Sequence, residues 1–411
     1  MRRPPIVSVV LAGFAAFLDL YATQPLLPML ARTFGASALA VSLTITAPTV
    51  AVALTAPFIG IVADRIGLRR VIVMSAFALT VATALASTSS SLAQLVFWRF
   101  VQGIATPGIV ASTVAYVHEV WPPSHAGRAT GAYMSGTIVG GFIGRATAGL
   151  TAAAGDWAAA FVWLAVLNAL TAVALWMWLP DERQTTKARR HEEHLVHDKL
   201  RVLASTWLSR AWLPTRDLFR NPPLVATFAV GFCVLFTQVA MFTYVTFHLA
   251  APPFDLTTRA LGWLFAVYLI GALVTPVGGQ WIDAYGHRFG IVAATALGGA
   301  GTLLTLVPSV PFIVAGLALT ASGVFLGQAT TNSHIGAVTT RDRALAVGVY
   351  STFYYAGGTV GSALPAALWT AGGWPACVAL VVVVQLAGVV IAMTCWKGER
   401  AGGRPAMEPI V

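Results

Sequence analysis

Ionisable side chains inside apolar stretches are the residues of this sequence whose type and setting could do chemistry. The chain has 15 Asp and Glu residues, and all but one lie in polar intervals or at the ends of apolar stretches. The exception is Asp19, midway along an apolar stretch that begins near residue 6, and Arg99 and Arg145 have similar settings further on. Charge in apolar surroundings is costly and marks a functional site by default, so these three residues are the first candidates.

A carboxyl group in the setting of Asp19 is either protonated and neutral or ionised beside a cation. A group that can exist in both states is what proton coupling requires. We therefore predict that Asp19 carries a coupled proton and that Arg99 is the cation that tunes it. Two alternatives stay open: the two side chains form a permanent ion pair, or Arg99 is a structural arginine bound to backbone carbonyl groups.

The apolar stretches that hold these residues define the class of protein. Hydrophobic residues make up 57% of the chain, charged residues 10%, and the mean hydropathy is +0.77, whereas a soluble domain has about 25% charged residues. Stretches of about 20 apolar residues match a bilayer core about 30 Å thick, where backbone polar groups must be satisfied internally. The sequence predicts an all-α integral membrane protein. Its twelve transmembrane helices are expected at residues 6–30, 39–62, 71–88, 92–117, 127–152, 157–179, 224–250, 260–282, 289–308, 311–338, 344–371 and 375–396.

Positive charge is distributed unevenly between the two sides of these helices. Of the 25 Lys and Arg residues, 21 fall in the terminal segments and in the alternate connections that share one side. The positive-inside rule places that side, with both termini, in the cytoplasm. The net charge of +10 is then explained by topology in a bacterial-type cytoplasmic (inner) membrane, and no nucleic-acid partner is predicted.

Other chemistries lack the motifs that they require. Cys233, Cys377 and Cys395 lie far apart in apolar stretches without a CxxC spacing, so neither disulfides nor a metal site are predicted. The sequence has no Walker lysine loop and no nucleophile elbow. We expect no enzymatic activity, no cofactor and no ATP-driven pumping. The apolar run after Arg3 is interpreted as a retained first helix rather than a signal peptide, since it extends for about 25 residues.

The two halves of the chain repeat one another. Five residues recur 219 positions later and five others recur 217 positions later. The first set is Pro57, Gly60, Asp64, Gly67 and Arg69, which recurs as Pro276, Gly279, Asp283, Gly286 and Arg288; the second is Tyr133, Gly140, Gly141, Gly144 and Trp157, which recurs as Tyr350, Gly357, Gly358, Gly361 and Trp374. Six helices per half give a parallel repeat about an axis along the membrane normal. We predict a six-helix bundle at residues 1–180, a basic cytoplasmic linker at 181–223 and a second bundle at 224–411.

The connection after the second helix carries a family resemblance. The run Gly60-Ile-Val-Ala-Asp64-Arg65-Ile-Gly67-Leu-Arg69-Arg70 resembles the loop 2–3 signature of the major facilitator superfamily, and Asp283, Gly286 and Arg288 belong to its degenerate copy. The resemblance implies two pseudo-symmetric bundles around a cavity that opens alternately to each side. The charged residues of both copies are predicted to form a conformational lock at the cytoplasmic face. A plain tight turn with solvated charges is the alternative.

Two further motifs point to the same superfamily. Arg99-Phe-Val-Gln102-Gly103 is similar to its fourth-helix motif. Asp19, ahead of Gln24-Pro25-Leu-Leu-Pro28, is similar to the first-helix motif of the twelve-helix drug:proton antiporter branch.

The fifth helix resembles the antiporter motif in part. Gly131, Gly140 and Gly144 fit that motif, but Arg145 occupies its proline position. Gly136, Gly140 and Gly144 are four residues apart and would also form a smooth face for close helix packing. Packing is the alternative to a role in setting the direction of transport.

The resemblance also implies which residues contact a substrate, because helices 1, 4, 7 and 10 line the cavity in the superfamily. The candidates beside Asp19 and Arg99 are Gln24, Gln102, Gln238, Tyr244 and Gln328. For each of them, a hydrogen bond between helices is the alternative.

The predicted function is secondary active transport by alternating access. We expect a proton-coupled exporter, an antiporter of small hydrophobic or amphipathic compounds that works as a monomer. Its partners would be a small-molecule substrate, protons and the lipid bilayer. Uptake or facilitated passage of a small anionic metabolite is the alternative, since two arginines and one acid lie within the membrane. A membrane sensor or scaffold with a transporter-like fold is a third possibility.

Overall fold

The computed structural model describes residues 5–121, 123–154, 156–180, 218–339 and 343–396. Within these ranges the chain forms helices joined by short turns, and it contains no strand. The all-α class predicted from the sequence is confirmed. Residues 181–217, most of the predicted basic linker, lie outside the described residues, so the linker and the domain limits stay predictions.

The first half contains six successive helical segments, which we number helices 1 to 6. Helix 1 comprises Ile6–Leu18 and Leu27–Phe34, with turns and the short 3-10 helix Gln24–Leu26 between them; helix 2 comprises Ala38–Thr55 and Ile59–Ile66, joined by the 3-10 helix Ala56–Phe58. Helix 3 is Leu68–Ala86, helix 4 is Leu92–Val120, helix 5 is Pro123–Ala152 and helix 6 is Trp157–Trp178.

The second half contains helices 7 to 12. Helix 7 is Pro222–Ala250, helix 8 comprises Thr258–Leu264 and Val267–Tyr285, helix 9 is His287–Leu304 and helix 10 is Val310–Val338. Helix 11 begins with Arg343–Ala363 and continues into the stretch Pro365–Cys395, where Gly373, at φ +61°, separates it from helix 12. Within the described residues, seven helices are long and apolar enough to cross a membrane by themselves. The remaining crossings are interrupted, shorter or less apolar.

Helix packing follows the same pattern in both halves. Helix 1 packs against helix 5 and helix 3 against helix 4, just as helix 7 packs against helix 11 and helix 9 against helix 10. Helix 4 also contacts helix 2, and helix 10 contacts helix 8. The pseudo-symmetry predicted from the sequence repeat is therefore present in the arrangement of the helices.

Glycines allow the closest of these contacts. A Cβ atom on Gly136, Gly140 or Gly144 of helix 5 would collide with a backbone carbonyl oxygen of helix 1. Gly357 and Gly361 make the equivalent approach of helix 11 to helix 7. The predicted smooth glycine face thus lies directly against a neighbouring backbone, as close packing of small residues requires.

Helix 1 differs from its predicted form, because it is interrupted after Leu18. Pro25 and Pro28 have no N–H group to donate to the carbonyl groups of residues 21 and 24, so two closely spaced helical hydrogen bonds are missing here and an interruption is favoured. Turns replace it, with Ala22 N donating to Asp19 O at 3.0 Å and Gln24 N to Tyr21 O at 3.1 Å. Asp19 therefore lies at the end of the first helical piece rather than midway along a helix.

The turns at residues 35–37, 87–91 and 251–257 lie at one end of the helices, which we call the outer face because the charge distribution predicts that it is extracytoplasmic. Helices that start there have polar N-caps. Ser37, Ser91 and Thr257 each accept a hydrogen bond from a backbone N–H of the first turn. Such caps satisfy donors that a helix start leaves unpaired.

Candidate functional site

Asp19 lies in a polar cluster between helices 1, 3 and 6. Its side chain is 2% exposed. Oδ2 accepts hydrogen bonds from Thr83 Oγ1 at 2.5 Å and from Asn168 Nδ2 at 2.7 Å. Oδ1 has no hydrogen-bond partner within the described residues. One carboxylate oxygen is thus held by two donors while the other is bare.

A chain of hydrogen bonds joins this carboxyl group to helix 4. Gln102 Nε2 donates to Thr83 Oγ1 at 2.8 Å, and Arg99 Nη1 donates to Gln102 Oε1 at 2.5 Å. Gln102, predicted as a substrate contact, is therefore a buried link between Arg99 and Thr83. The cation and the acid that sequence reasoning paired are connected through two intervening side chains.

Thr83 stands at a branch point in this chain. Its hydroxyl oxygen lies 2.7 Å from Leu79 O as well as 2.5 Å from Asp19 Oδ2. A hydroxyl group has one proton, so it can donate to only one of them at a time, while its oxygen has two acceptor sites. If Thr83 donates to Leu79 O, the oxygen can accept from a protonated Asp19 and from Gln102. The same heavy-atom positions therefore satisfy both protonation states of Asp19.

Arg99 is fully buried and binds mainly to backbone carbonyl groups. Nε donates to Thr44 O at 2.9 Å, Nη1 to Asp19 O at 2.9 Å and Nη2 to Leu20 O at 2.6 Å. Thr44 O lacks its usual helical partner because Pro48 has no N–H. The carbonyl groups of residues 19 and 20 lie where helix 1 is interrupted, and cations are favourable at such helix ends. These contacts are those of a structural arginine bound to backbone carbonyl groups, which was one of the two alternatives to a role of Arg99 in tuning Asp19.

Arg145 lies where the two halves of the molecule meet. Its Nε donates to Gln24 Oε1 at 2.7 Å and its Nη1 to Gly141 O at 2.6 Å. The guanidinium carbon lies over three aromatic rings, 5.2 Å from the centroid of Tyr21, 4.8 Å from that of Phe265 and 4.9 Å from that of Tyr268. We call these three rings with Arg145 the arginine cage.

The remaining predicted substrate contacts lie in different environments. Gln24 also donates to Thr243 Oγ1 at 3.3 Å, so it bridges helices 5 and 7. Gln238 and Gln328 are half-buried, and the Gln238 side chain lies near the Tyr268 hydroxyl group. Tyr244 is buried, donates to Ser362 O at 2.8 Å and packs near aromatic rings towards the outer face. Gln238 and Gln328 stay candidates, whereas Tyr244 has the contacts of a packing residue.

A model of the Major Facilitator Superfamily matches residues 9–256 and 249–407. The chain belongs to the Major Facilitator Superfamily. "Uncharacterized transporter YgaY" of Escherichia coli O157:H7 is 30% identical over 409 residues, which cover 96% of this chain and 95% of that protein. "Inner membrane transport protein YnfM" of Escherichia coli K12 is 29% identical over 378 residues, covering 91% and 87%. "Uncharacterized MFS-type transporter YybF" of Bacillus subtilis is 28% identical over 375 residues, covering 91% and 89%.

Solved structures of two other transporters show the same fold. A bacterial homolog of the human lysosomal transporter Spinster, inward-facing and occupied, has a TM-score of 0.67 at 17% identity and covers 95% of this chain and 94% of its own. A POT family transporter in complex with 5-aminolevulinic acid has a TM-score of 0.73 at 14% identity, covering 95% and 96%. The family match and the curated relatives make the protein a multi-pass transporter of the bacterial inner membrane, embedded in lipid and moving a small-molecule substrate.

The superfamily signature lies at the end of helices 2 and 3 opposite the outer face. Gly67 has a φ of +92°, and its counterpart Gly286 has a φ of +85°. Gly60, Asp64, Arg65 and Arg70 are exposed, and Asp64 forms no ion pair with any residue that the structure describes. The acid of the predicted lock is therefore unpaired here, and nothing is described of the Asp283 side chain in the second copy.

The last arginine of each signature copy has the same structural contact. Arg69 donates to Leu179 O at 2.5 Å and to Trp176 O at 2.8 Å, at the end of helix 6. Arg288 donates to Met393 O at 3.1 Å and to Trp396 O, at the end of helix 12. Both arginines thus bind the final carbonyl groups of the sixth helix of their half, where cations are favourable.

Several contacts join the two halves in the outer parts of the helices, and helices 2 and 11 also touch further in, where Thr352 Oγ1 lies 3.4 Å from Ala53 O. Thr46 Oγ1 and Ser362 Oγ are 2.7 Å apart between helices 2 and 11. Between helices 5 and 8, a Cβ atom on Gly149 would lie 2.6 Å from Gly262 Cα. The ring centroids of Phe142 and Trp263 are 5.8 Å apart. The halves are therefore joined at the outer face in this structure.

Among the residues that sequence reasoning missed are four with polar side chains in these clusters. Thr83 and Asn168 bind Asp19, while Tyr21 and Tyr268 enclose Arg145. Asn168 had a usable signal, because it is an amide within the strongly apolar helix 6. The other three are residue types that are common in membrane helices, and their role depends on which helices pack together.

Proposed function

We propose that the protein is a proton-coupled exporter, an antiporter of small hydrophobic or amphipathic compounds, in which Asp19 carries the proton. The observation that supports this role is the Thr83 branch point. Because the Thr83 hydroxyl can turn between Asp19 Oδ2 and Leu79 O, the carboxyl group can gain or lose a proton without leaving a buried donor unsatisfied. A permanent Asp19–Arg99 ion pair is disfavoured, since Arg99 is occupied by carbonyl groups.

Proton binding is linked to conformation through helix 1. Asp19 lies at the interruption of helix 1, and Arg99 binds the carbonyl groups of residues 19 and 20 at the start of that turn. The Asp19 side chain contacts helices 3 and 6, whereas Gln24, five residues further along, contacts helices 5 and 7. A change in charge at Asp19 therefore acts on a segment that reaches the contact between the halves. Such a shared element can bias a rocking motion between two states.

Export is supported by two features. The Asp19 and Gly131–Gly144 motifs resemble those of drug:proton antiporters, although Arg145 replaces the expected proline. The observed conformation is joined at the outer face and has an unpaired Asp64 at the opposite face. An exporter would load its substrate in such a state, and the lock would form when the transporter reverses.

Substrate-driven proton movement in proteoliposomes tests the proposal. Wild-type protein, Asp19→Asn and Asp156→Asn would be reconstituted with a pH-sensitive dye inside the vesicles and exposed to cationic dyes, sugars and organic anions. Asp156 is the matched control, since it is an exposed acid that caps helix 6 through Ala158 N, and Asn is an equally good cap. We expect Asp19→Asn to abolish proton flux while substrate binding persists, and Asp156→Asn to behave as wild type. Normal coupling in Asp19→Asn would refute the proposal.

Uptake of a small anionic metabolite is the second candidate. It is favoured by the buried Arg145, which pairs with no carboxylate in the described part of the chain. The same assay separates the candidates, because antiport moves protons against the substrate and symport moves protons with it. Substrate movement without proton flux would instead indicate facilitated passage.

A further inference from the structure

The arginine cage contains a buried cation that the proton network does not use. Arg145 is 3% exposed. Its guanidinium group has five N–H donors, and the structure pairs Nε with Gln24 and Nη1 with Gly141 O. Within the described residues, Nη2 makes no hydrogen bond and no acid neutralises the charge. A buried charge without a partner is energetically costly. A bound ligand with an anionic group would supply the partner that Arg145 lacks.

The geometry of the cage suggests the kind of ligand. Three rings stand over the guanidinium group at 4.8 to 5.2 Å, so cation–π attraction holds the group in place. Two of its five N–H donors are used, one on Nε and one on Nη1, which leaves one proton on Nη1 and both protons on Nη2 free. A guanidinium fork fixed in this way matches the two oxygens of a carboxylate.

Two unsatisfied hydroxyl groups accompany the free donors. Tyr21 Oη and Tyr268 Oη are buried and lack a hydrogen-bond partner among the described residues. Tyr268 lies near Gln238, yet the pair forms no hydrogen bond of normal geometry. Buried hydroxyl groups are nearly always satisfied in folded proteins. An anionic ligand would accept hydrogen bonds from these hydroxyl groups and from Arg145 together.

Both halves of the molecule contribute to the cage. Arg145 and Tyr21 belong to helices 5 and 1, whereas Phe265 and Tyr268 belong to the turn and second piece of helix 8. Tyr354 and Tyr355 of helix 11 belong to the same buried cluster as the three rings of the cage, and their rings would contact the body of the ligand. A ligand in this position touches the elements that separate when the halves move.

We propose that Arg145 binds the carboxylate group of the transported substrate, which is therefore a small organic anion with an aromatic or aliphatic body. This inference rests on the proposed transport function and narrows its substrate class. It assigns Arg145, Tyr21 and Tyr268 as determinants of specificity, and it leaves proton coupling to Asp19.

Matched probes test the inference at equilibrium, without a gradient. Phenylacetate, phenylacetamide and phenethylamine have similar shapes and carry negative, zero and positive charge. Isothermal titration of the full-length protein in detergent at neutral pH should show that phenylacetate binds at least about tenfold more tightly than the amide, as one or two charge-assisted hydrogen bonds predict. The amine should bind most weakly. Equal binding of the amide or the amine, or no binding of phenylacetate in the millimolar range, would overturn the inference.

Substitutions assign the preference to the cage. Arg145→Gln should reduce the phenylacetate preference to about twofold or less, and Arg145→Lys should retain part of it because a lysine keeps the charge without the fork. Arg259→Gln is the charge-matched control, since Arg259 is exposed on helix 8. If Arg145→Gln keeps the full preference, the carboxylate binds elsewhere and the proposal is wrong.

Milder variants cover the case in which Arg145→Gln does not fold. Tyr21→Phe and Tyr268→Phe remove only a hydroxyl group, and each should weaken phenylacetate binding several-fold while leaving phenethylamine binding unchanged. Tyr133→Phe is the matched control, because Tyr133 Oη is also buried without a partner but is not part of the cage. Equal effects at the three tyrosines would count against the cage.

Failure of this inference is distinguishable from failure of the proposed function. Asp19→Asn keeps every residue of the cage, so it should retain the preference for phenylacetate over phenylacetamide even though proton coupling is lost. If Asp19→Asn couples normally and the carboxylate preference persists, the proton mechanism is wrong and the anion site stands. If coupling depends on Asp19 and the preference for phenylacetate is absent, the proton mechanism stands and the anion site is wrong.

Discussion

At the residue scale, the position of the Thr83 hydroxyl proton decides which form of Asp19 the protein stabilises. Donation to Asp19 favours the ionised carboxylate, which Asn168 also holds. Donation to Leu79 O frees the Thr83 oxygen to accept from the neutral acid. Gln102 donates to Thr83 in both cases, so it anchors the hydroxyl group while its proton turns. Within this conformation the two protonation states of Asp19 differ only in the direction of the Thr83 hydroxyl proton, so Asp19 can exchange its proton before the helices move.

Thr83→Val and Thr83→Ser separate the hydroxyl group from the shape of the side chain. Valine keeps the shape and removes both hydrogen bonds, so Gln102 Nε2 and Asp19 lose a partner at a cost of about 1–3 kcal/mol. We expect Thr83→Val to lower thermal stability in detergent and to reduce substrate-driven proton flux at least tenfold, while Thr83→Ser retains most of both. Similar flux in the two variants would show that the branch point does not carry the coupling.

Arg99→Lys tests the structural role of this arginine. A lysine cannot reproduce the three directed bonds to Thr44, Asp19 and Leu20 carbonyl groups. We expect the variant to lose about 2 kcal/mol or more of stability, since each lost bond contributes about 1 kcal/mol. Thermal unfolding monitored by tryptophan fluorescence measures the change. Arg259→Lys on the exposed surface should have little effect, and an equal effect there would contradict the assignment.

At the element scale, interruptions and glycines position the charged residues. The break in helix 1 exposes the carbonyl groups that bind Arg99, and Pro48 in helix 2 frees a third. Helix 5 approaches helix 1 through glycines, which sets Arg145 beside Gln24. The elements therefore supply the unsatisfied backbone groups and the close approach that each arginine needs.

Gly140→Ala and Gly131→Ala form a matched pair on helix 5. A Cβ at Gly140 would collide with the backbone of helix 1 at Phe14, whereas nothing lies within 4 Å of a Cβ at Gly131. Alanine favours helix by about 1 kcal/mol over glycine. We expect Gly131→Ala to leave thermal stability unchanged or raised and Gly140→Ala to lower it by several degrees. Equal melting temperatures would show that helices 1 and 5 do not depend on this contact.

The sequence predicted the helices better than it predicted their junctions. Apolar length and charge distribution located all the helices within a few residues, because the bilayer imposes both patterns. Asp19 and Arg145 were found because an ionisable residue stands out among apolar ones. The interruption at residues 19–23 was not predicted, although Pro25 and Pro28 could have signalled it. Contacts such as Asn168 with Asp19 depend on helix packing, which no local pattern specifies.

At the scale of the whole molecule, the second half repeats the Asp19 cluster in uncharged form. Gln385 Nε2 lies 3.3 Å from Thr302 Oγ1, which in turn lies 3.4 Å from Thr320 Oγ1. By the repeat, these residues correspond to Asn168, Thr83 and Gln102, and Thr237 corresponds to Asp19. Thr237 and Gln385 border a small cavity of about 30 Å³, and Thr237 Oγ1 has no partner in the described chain.

This asymmetry assigns different roles to the two halves. The first half holds both an ionisable cluster and the arginine of the cage, whereas the equivalent cluster of the second half contains no group that titrates. The cavity beside Thr237 is large enough for a water molecule, and Thr237, Thr295 and Gln385 are the polar residues in its mostly apolar lining. Proton binding can therefore bias the alternating motion from one half, while the second half supplies aromatic rings and a contact surface.

The contact between helices 5 and 8 at the outer face determines whether that side can close. A Cβ on Gly149 would lie 2.6 Å from Gly262 Cα and 2.8 Å from Thr258 O, whereas nothing lies within 4 Å of a Cβ on Gly127 of the same helix. Gly149→Val should therefore prevent closure and favour a state that is open at the outer face. Gly127→Val is the matched control with the same change in helix propensity.

Spin labels at Leu39 and Leu364 report this closure, because both residues are exposed and border one groove between helices 2 and 11. With the native cysteines replaced by serine, double electron–electron resonance should give a short distance in the background protein and in Gly127→Val, and a longer distance in Gly149→Val. The longer distance should be accompanied by loss of transport without loss of folding, since the state joined at the outer face is part of the cycle. If Gly149→Val keeps the short distance, the Gly149–Gly262 approach does not control closure of the outer face.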